Sequence, residues 1–533
     1  MRFRGGVQRW LGRSRARPCS IRRASGGGGR PIAAGLTLAA SLFLPKLLLA
    51  AGRLGQNNDA IGTSSYSIDL YQGAVLAGNR VMGLSGAYVA IAEDVDGDLQ
   101  NPAAPAMRPF FSTEYFDYWL GLGLTFPGRL ASIDFFNSGS RTGFRGASDE
   151  PVFVTPALNL QWGTLGIGLT LEIQNYTVQR GAIPGAMELG AASSLDAVLT
   201  TVHVQCANSF FDGQLVLGAG LRYLNMDLDA AAGNDRTSTL FGTSGSGLEL
   251  GAVWRPNLRP FRLGLAFRSP IDTQPTFSRT LLPTPEGDIL LGDESNPLFL
   301  PERVSAPWDV NVGAAVQLGR RPLNPLSQTI DSVAERARLT FRLRQLERDE
   351  ERERRLAAAQ SAAEREAVEK ELSAAELQDS ERLRRAFDDA RRALALSSAQ
   401  VERFYVLLTA SMVISGPVKD GVGVESFLNQ VVNRSGGQIV YSPRLGVESE
   451  VWGDRLKLRG GSYLEPSRFA TSHSRLHGTL GGDVRLFGWN VFGLWPDDYV
   501  WQLGGSLDVA ARYFSWGVSL GGWYPRHARG ESL

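Results

Sequence analysis

The chain is poor in the residues that most chemistry needs. Two cysteines and four histidines are spread over 533 residues. Cys19 lies in a basic N-terminal leader, so loss of that leader leaves Cys206 alone and excludes an intramolecular disulfide. A thiol nucleophile needs an imidazole partner, and no spacing here supplies one. His473-x3-His477 sets two imidazoles on one strand face, too few for a zinc site, so neither a metal nor a cofactor is expected. The run Gly26 to Gly29 lacks a following Gly-Lys-Ser/Thr and is no phosphate loop. No Ser-His pair falls in register, and the chain is read as a non-enzyme. After residue 51 no stretch of 18 residues is apolar and free of proline and charge, so no transmembrane helix is expected.

Residues 1–51 stand apart. They hold nine arginines, one lysine and no acid. A basic region, an apolar stretch over 31–44 and a small-residue site near Ala51 read as a signal peptide. The alternative, an uncleaved anchor, is disfavoured because the apolar residues before Pro45 are few for a span. Without the leader, Lys plus Arg falls from 55 to 45 against 54 Asp plus Glu, a net charge of −9. Nucleic-acid binding then loses its electrostatic basis.

What is abundant is glycine, 61 residues, and alternation of period two. Leu165, Ile167, Leu169 and Leu171 alternate with Gly166, Gly168, Thr170 and Glu172. Leu263, Leu265 and Phe267 alternate with Arg262, Gly264, Ala266 and Arg268. Leu476, Leu480 and Val484 alternate with His477, Thr479 and Asp483. One face is apolar, and the other mixes glycine with charge, as a lipid-facing wall around a wet, crowded lumen requires. Because lipid satisfies no open strand edge, such a sheet must close.

The expected fold is an all-β transmembrane barrel of about 14 antiparallel strands (range 12–16), with an N-terminal lumen plug and an inserted α-helical hairpin. Long connections are expected at 139–151, 177–194, 227–237, 269–301 and 416–437. Short ones are expected at Pro127-Gly128, Trp162-Gly163, 255–257 and Gly453-Asp454. The last strand puts Phe514, Trp516, Val518, Leu520, Gly522 and Tyr524 on one face. A terminal strand of this kind resembles the signal read by barrel-assembly machinery, although the tail 525–533 follows it.

One segment breaks the pattern. Neither glycine nor proline occurs between Pro325 and Gly416. Leu326, Ile330, Val333 and Ala337, like Leu383, Phe387, Ala390 and Leu394, repeat at coiled-coil spacing. A single helix would be about 108 Å long at 1.5 Å per residue, and the chain must return to the barrel. A hairpin over 326–399 with its tip near 360–375 follows, with Ser361-x-x-Glu364 and Ser373-x-x-Glu376 as capping boxes able to restart a helix. Residues 335–392 hold 15 acids and 15 bases, a balanced surface. Strand parity places the hairpin in the periplasm.

Residues 78–104 read G-N-R-V-M-G-L-S-G-A-Y-V-A-I-A-E-D-V-D-G-D-L-Q-N-P-A-A. Gly83 and Gly86 permit close backbone approach, and Asn101-Pro102 closes the segment in a turn. Asp94-x-Asp96-Gly97-Asp98 lacks the spacing of a calcium loop and is read as an acidic turn pairing with lumen arginines. The order of glycines, acidic turn and Asn-Pro resembles the N-terminal plug of the FadL-type family of outer-membrane hydrophobic-compound transporters and their PorV-like relatives. The resemblance implies a plug over 52–108, carried by Gly78, Gly83, Gly86, Asp94, Asn101 and Pro102. Barrel strands then fill 109–325 and 400–524. Residues 52–77 match no pattern of that family.

The resemblance implies passive transport of hydrophobic or amphipathic small molecules, such as long-chain fatty acids, across the outer membrane of a Gram-negative bacterium. By alternation Arg262, Arg268, Arg455, Lys457, Arg459 and Arg475 face the lumen, where cations suit a carboxylate headgroup. Pairing with acids such as Glu448, Glu450 and Asp483 is the structural alternative for each. The expected partners are outer-membrane lipid, a hydrophobic ligand, barrel-assembly machinery and a periplasmic protein at the hairpin. The rival function is a PorV-like scaffold or shuttle docking proteins through that hairpin.

Overall fold

The computed structural model describes residues 54–108, 116–128, 133–139, 152–179, 192–232, 236–277, 282–283, 289–291, 298–324, 330–399, 404–470, 472–489 and 500–523. The leader 1–51, Tyr524 and the tail 525–533 lie outside them.

Fourteen strands form one closed antiparallel barrel. In chain order they are β1 Phe116–Pro127, β2 Phe153–Trp162, β3 Leu165–Gln179, β4 Ala192–Phe210, β5 Leu215–Ala232, β6 Arg236–Trp254 and β7 Phe261–Arg268. They continue as β8 Asp309–Gly319, β9 Tyr405–Ser415, β10 Val440–Trp452, β11 Leu456–Glu465, β12 Arg475–Gly488, β13 Val500–Ala510 and β14 Tyr513–Gly522. Each pairs with its chain neighbours, and the ring closes where β1 meets β14, from Gly121 opposite Gly521 to Pro127 opposite Ser515. No strand edge is left over in the ring, the condition a bilayer imposes.

The alternation has the sense expected of a lipid-facing wall. Leu165, Ile167 and Leu169 are exposed while Thr170 between their rows is buried. Leu476, Leu480 and Val484 point out, whereas His477, Thr479 and Asp483 are buried inside. A soluble protein would not expose so continuous an apolar band. Phe116, Phe211, Trp254, Phe404, Trp452 and Phe487 are exposed around one rim, as in an aromatic girdle at a membrane interface.

That rim is the turn end, where the tight connections 163–164 and 453–455 lie, where β1 begins and β14 finishes. The opposite, loop end carries the connections 128–152, 269–308 and 416–439. Two sequence expectations change here. Pro127-Gly128 is no short turn but opens the 128–152 connection, whose Ile133 and Phe135 join the apolar core. The segment 227–237 is largely strand, because β5 and β6 run to Ala232 and from Arg236. Beyond the lipid band a strand needs no apolar face, so the ladder continues while the sequence pattern stops.

The chain itself occupies much of the lumen. From the loop end, Ser67–Asp69 joins a four-stranded inner sheet between Gly421–Gly423 and Arg303–Ala306, with Ile271–Thr273 at its edge. Asp69 binds Arg468 Nε at 3.0 Å. Tyr66, Ile68, Phe241, Ile271, Val422 and Phe427 make this the largest apolar core. Residues 54–77, within the stretch unplaced by sequence pattern, are thus half of a cap. The chain then descends as the short helix α1, Asn79–Gly83, and the turns 95–106 toward the turn end.

Between β8 and β9 stand two long helices, α2 Ile330–Ala358 and α3 Ala362–Ala399. Their tip is where the sequence placed it. Glu364 N–H donates to Ser361 Oγ at 3.2 Å and Ser361 N–H to Glu364 Oε2 at 3.2 Å, a reciprocal cap. Ser373 starts no helix; it lies within α3, its hydroxyl donating to the Glu369 carbonyl. Arg352–Glu369 at 3.0 Å and Arg355–Glu371 at 2.7 Å cross between the helices. Of the expected seam, Leu383 and Phe387 are half-buried, while Leu326 and the side chains of Ile330, Val333, Ala337, Ala390 and Leu394 lie outside the described residues.

Candidate functional site in the barrel lumen

The plug is seated by backbone contact with glycines of the wall. A methyl group on Gly166 would overlap the Pro105 carbonyl, and one on Gly218 the Pro102 carbonyl. On Gly264 it would overlap the Val89 carbonyl, and on Gly251 the Asn101 side chain. The glycines of the alternating pattern therefore make room for a second layer of chain inside the barrel. Gly83 meets Gly481 of β12 backbone to backbone, its position for a Cβ only 3.1 Å from Gly481 Cα. Gly86 adopts φ +73°, a conformation open to glycine, beneath the guanidinium of Arg444. Gly78 is filled by the Asp96 carboxyl.

Side chains lock this seating. Asn101 donates to the Val89 carbonyl at 2.8 Å and the Ala252 carbonyl of β6 at 3.2 Å, and accepts from Ala103 N–H at 3.0 Å. Pro102 follows it into the space left by Gly218 and Gly251. Asp98 accepts from Asn159 and Thr170, both at 3.1 Å. Burial holds its carboxyl well above the usual range against those two hydrogen bonds.

One charge network joins plug and wall. Arg80 of α1 donates from Nε and Nη2 to the Glu448 carboxylate of β10, at 2.9 and 2.8 Å. It also meets Asp94 at 3.0 Å and Glu93 at 3.3 Å. Glu93 bridges on to Arg262 at 2.7 Å, and Glu448 on to Arg459 at 2.5 Å and Tyr405 at 2.7 Å. Burial alone would raise the Glu93 carboxyl, but Arg262 and Arg80 outweigh it and hold it down at about 2. Arg80, the centre of this network, escaped the sequence reading; its only signal was a lone base in an otherwise small and apolar segment.

The six lumen cations read from alternation meet different fates. Arg262 is buried, bound to Glu93, Asn324 and the Leu323 carbonyl. Arg459 is buried between Glu448 and Asp483. Arg475 is buried against Glu465 and the Phe135 carbonyl. Lys457 lies over the Trp523 ring at 4.4 Å. Arg455 is exposed in the turn between β10 and β11, 5.5 Å from the Trp452 ring centre. Alternation fails there because Arg455 lies in the turn 453–455, ahead of the first ladder residue Leu456. Arg268 alone of the six lines free space, donating to the Leu99 carbonyl of the plug and standing 3.5 Å from Asp309.

That space is a cavity of about 200 Å³ toward the loop end, between residues 70–77 and 99–100 of the plug and the walls of β3, β4, β5, β7, β8, β9 and β10. Its lining joins apolar groups, Leu70, Val75, Leu76, Leu199 and Leu224, to the charged Arg222, Arg268, Arg444, Glu172, His203 and Asp309. His203 is held at 2.7 Å by Glu249 and at 3.1 Å by Glu172. Arg222 and Arg444 have no carboxylate within salt-bridge distance among the described residues. An adjoining apolar recess is lined by Phe136, Tyr176, Ala197, Met226 and Val424 and shares Leu70, Gln72 and Leu199 with it. His473 and His477 are not brought together as ligands; His477 is buried between Asp508 and Glu465, both at 2.8 Å. No metal-binding cluster occurs among the described residues.

No family model matches the chain, and no curated protein matches it. Among solved structures the chain is similar to the CymD monoaromatic hydrocarbon channel, with TM-score 0.43, 10% identity, and 85% of this chain and 98% of that one covered. It is similar to a Pseudomonas aeruginosa FadL homologue, with TM-score 0.43, 11% identity and coverage of 85% and 98%. It is also similar to the P. putida toluene transporter TodX, with TM-score 0.41, 11% identity and coverage of 86% and 100%.

Proposed function

We propose that the protein is a passive outer-membrane transporter of hydrophobic or amphipathic small molecules in a Gram-negative bacterium. The observation that carries this reading is the cavity: an amphipathic chamber under the loop end of a barrel whose bore is otherwise blocked by its own chain. A porin of this girth would keep an aqueous channel. Here a solute meets a chamber with an apolar recess on one side and three guanidiniums on another. An amphipathic acid suits that division, its apolar end toward Phe136, Tyr176 and Met226 and its carboxylate toward Arg268, Arg222 and Arg444. Transport of this kind needs no bound cofactor and no chemical step.

The loop end then faces outward, and the turn end, with the hairpin, the periplasm. The long connections at one end and the tight turns at the other support that orientation. Assembly would pass through barrel-assembly machinery reading β14.

The test is ligand binding by the purified, folded barrel. A fluorescent long-chain acid and its methyl ester are titrated into the unaltered chain and into Arg268→Gln/Arg444→Gln. Saturable binding of the acid, weakened about tenfold or more by the double substitution with the ester unchanged, supports the reading. Flat titrations from a barrel that remains heat-modifiable would refute it. They would favour the second reading, a scaffold that docks a periplasmic protein through α2 and α3, for which the long projecting hairpin is the supporting observation.

A further inference from the structure

Within the charge-balanced hairpin, one stretch is not balanced. Between Glu335 and Glu347 the sequence R-A-R-L-T-F-R-L-R-Q-L has four arginines and no acid. Leu339, Leu343 and Leu346 repeat there at helical spacing and are 53%, 62% and 61% exposed. They are not the hairpin's own seam. Phe341 lies under the Arg348 guanidinium at 5.8 Å, and Arg348 reaches Asp379 of α3 at 3.6 Å, which fixes the side of α2 that faces its partner helix. At 3.6 residues per turn the three leucines fall about half a turn away from Phe341, on the outer side. The stripe ends at Glu350.

We propose that this face of α2 lies on the periplasmic leaflet of the membrane that holds the barrel, its leucines among the acyl chains and its arginines at anionic headgroups. Basic residues flanking an apolar stripe complement such a surface. The patch also continues an existing lipid interface: β8 and β9 leave the barrel within the aromatic rim, where Phe404 is exposed just before β9. Three leucines alone bind lipid weakly, but the hairpin is tethered to the barrel through both ends, so the contact is intramolecular and a short patch suffices. The leaflet contact would fix the hairpin's angle to the membrane and leave α3 as its periplasmic surface. This inference rests on the membrane reading above and not on what the barrel transports.

The full chain carrying Cys206→Ser is labelled with an environment-sensitive fluorophore at Leu343→Cys or, as a control on α3, at Glu381→Cys. It is reconstituted in nanodiscs of zwitterionic phospholipid with or without phosphatidylglycerol. The expected result is a blue-shifted emission from position 343, quenched several-fold more strongly by brominated lipid when phosphatidylglycerol is present. Arg342→Gln/Arg344→Gln should remove that dependence, and position 381 should stay unquenched. An unquenched label at 343 in a barrel that is inserted and heat-modifiable would overturn the proposal. So would energy transfer between differently labelled copies that rises with protein density, which would assign the stripe to a second chain. Failure of the barrel to insert in any lipid would overturn the membrane reading as well, and is seen separately by heat-modifiability.

Discussion

Arg80 of the plug and Glu448 of the barrel wall form a two-point ion pair, Nε and Nη2 at 2.9 and 2.8 Å from the two carboxylate oxygens. Glu448 is fully buried and shares its charge with Arg459. The plug is therefore fastened to the wall by charge where it is otherwise held by backbone fit. Breaking a buried pair from one side costs about 3–5 kcal/mol, because the partner is left uncompensated. Glu448→Gln should lower unfolding stability by that order, Arg80→Ala by less, and the double variant by less than their sum. Urea unfolding followed by heat-modifiability reads all three.

Gly83 and Gly481 test the backbone fit. Gly83→Leu or Gly481→Leu inserts a side chain where two chains touch, and overpacking of this kind costs about 1–3 kcal/mol. The barrel, closed by its own ladders, should still form, while the plug should become accessible to protease. Cleavage within residues 78–104 in the folded barrel measures the displacement.

Asp96 gives the plug a pH dependence. Burial, with the negative charges of Asp483 and Asp94, raises its carboxyl from the usual 3.8 to about 6, against Arg459 and Arg80. A group with a raised folded value contributes stability below its unfolded value, and that contribution is lost as pH rises through about 6. Glu93 acts in the opposite sense but only at much lower pH, since it is held at about 2. Plug protection should thus fall between pH 4 and pH 7; Asp96→Asn should lessen the fall and protect the plug at neutral pH, the remainder coming from Asp98, whose buried carboxyl is also held up. Protease resistance of the plug against pH checks the sign.

The hairpin should be dispensable for the barrel. Gly319 of β8 already stands opposite Tyr405 of β9, so a short turn is enough to join them. Replacing 327–402 by a few residues, while keeping Asn324 for its bond to Arg262, should leave heat-modifiability and ligand binding unchanged. Loss of function with a filled or mutated cavity left harmless would instead favour the scaffold.

The sequence determined the barrel and nearly its strand number, because every membrane strand must put apolar residues on alternate positions and no helix supplies an apolar span. It also determined the hairpin, through absent glycine and proline, and confined its tip to 360–375, while the structure decided that Ser361 and not Ser373 caps α3. It showed that Gly83, Gly86 and Asn101 belonged to one compact segment. The tertiary structure alone decided that Gly166, Gly218, Gly251 and Gly264 are sockets for that segment, since a glycine in a strand announces missing volume but not what occupies it. It alone decided which inward cations are spent on buried carboxylates, as Arg262 and Arg459 are, and which line a cavity, as Arg268 does. Alternation fixes the side a residue faces, while its partner across the lumen depends on where distant strands stand when the ring closes.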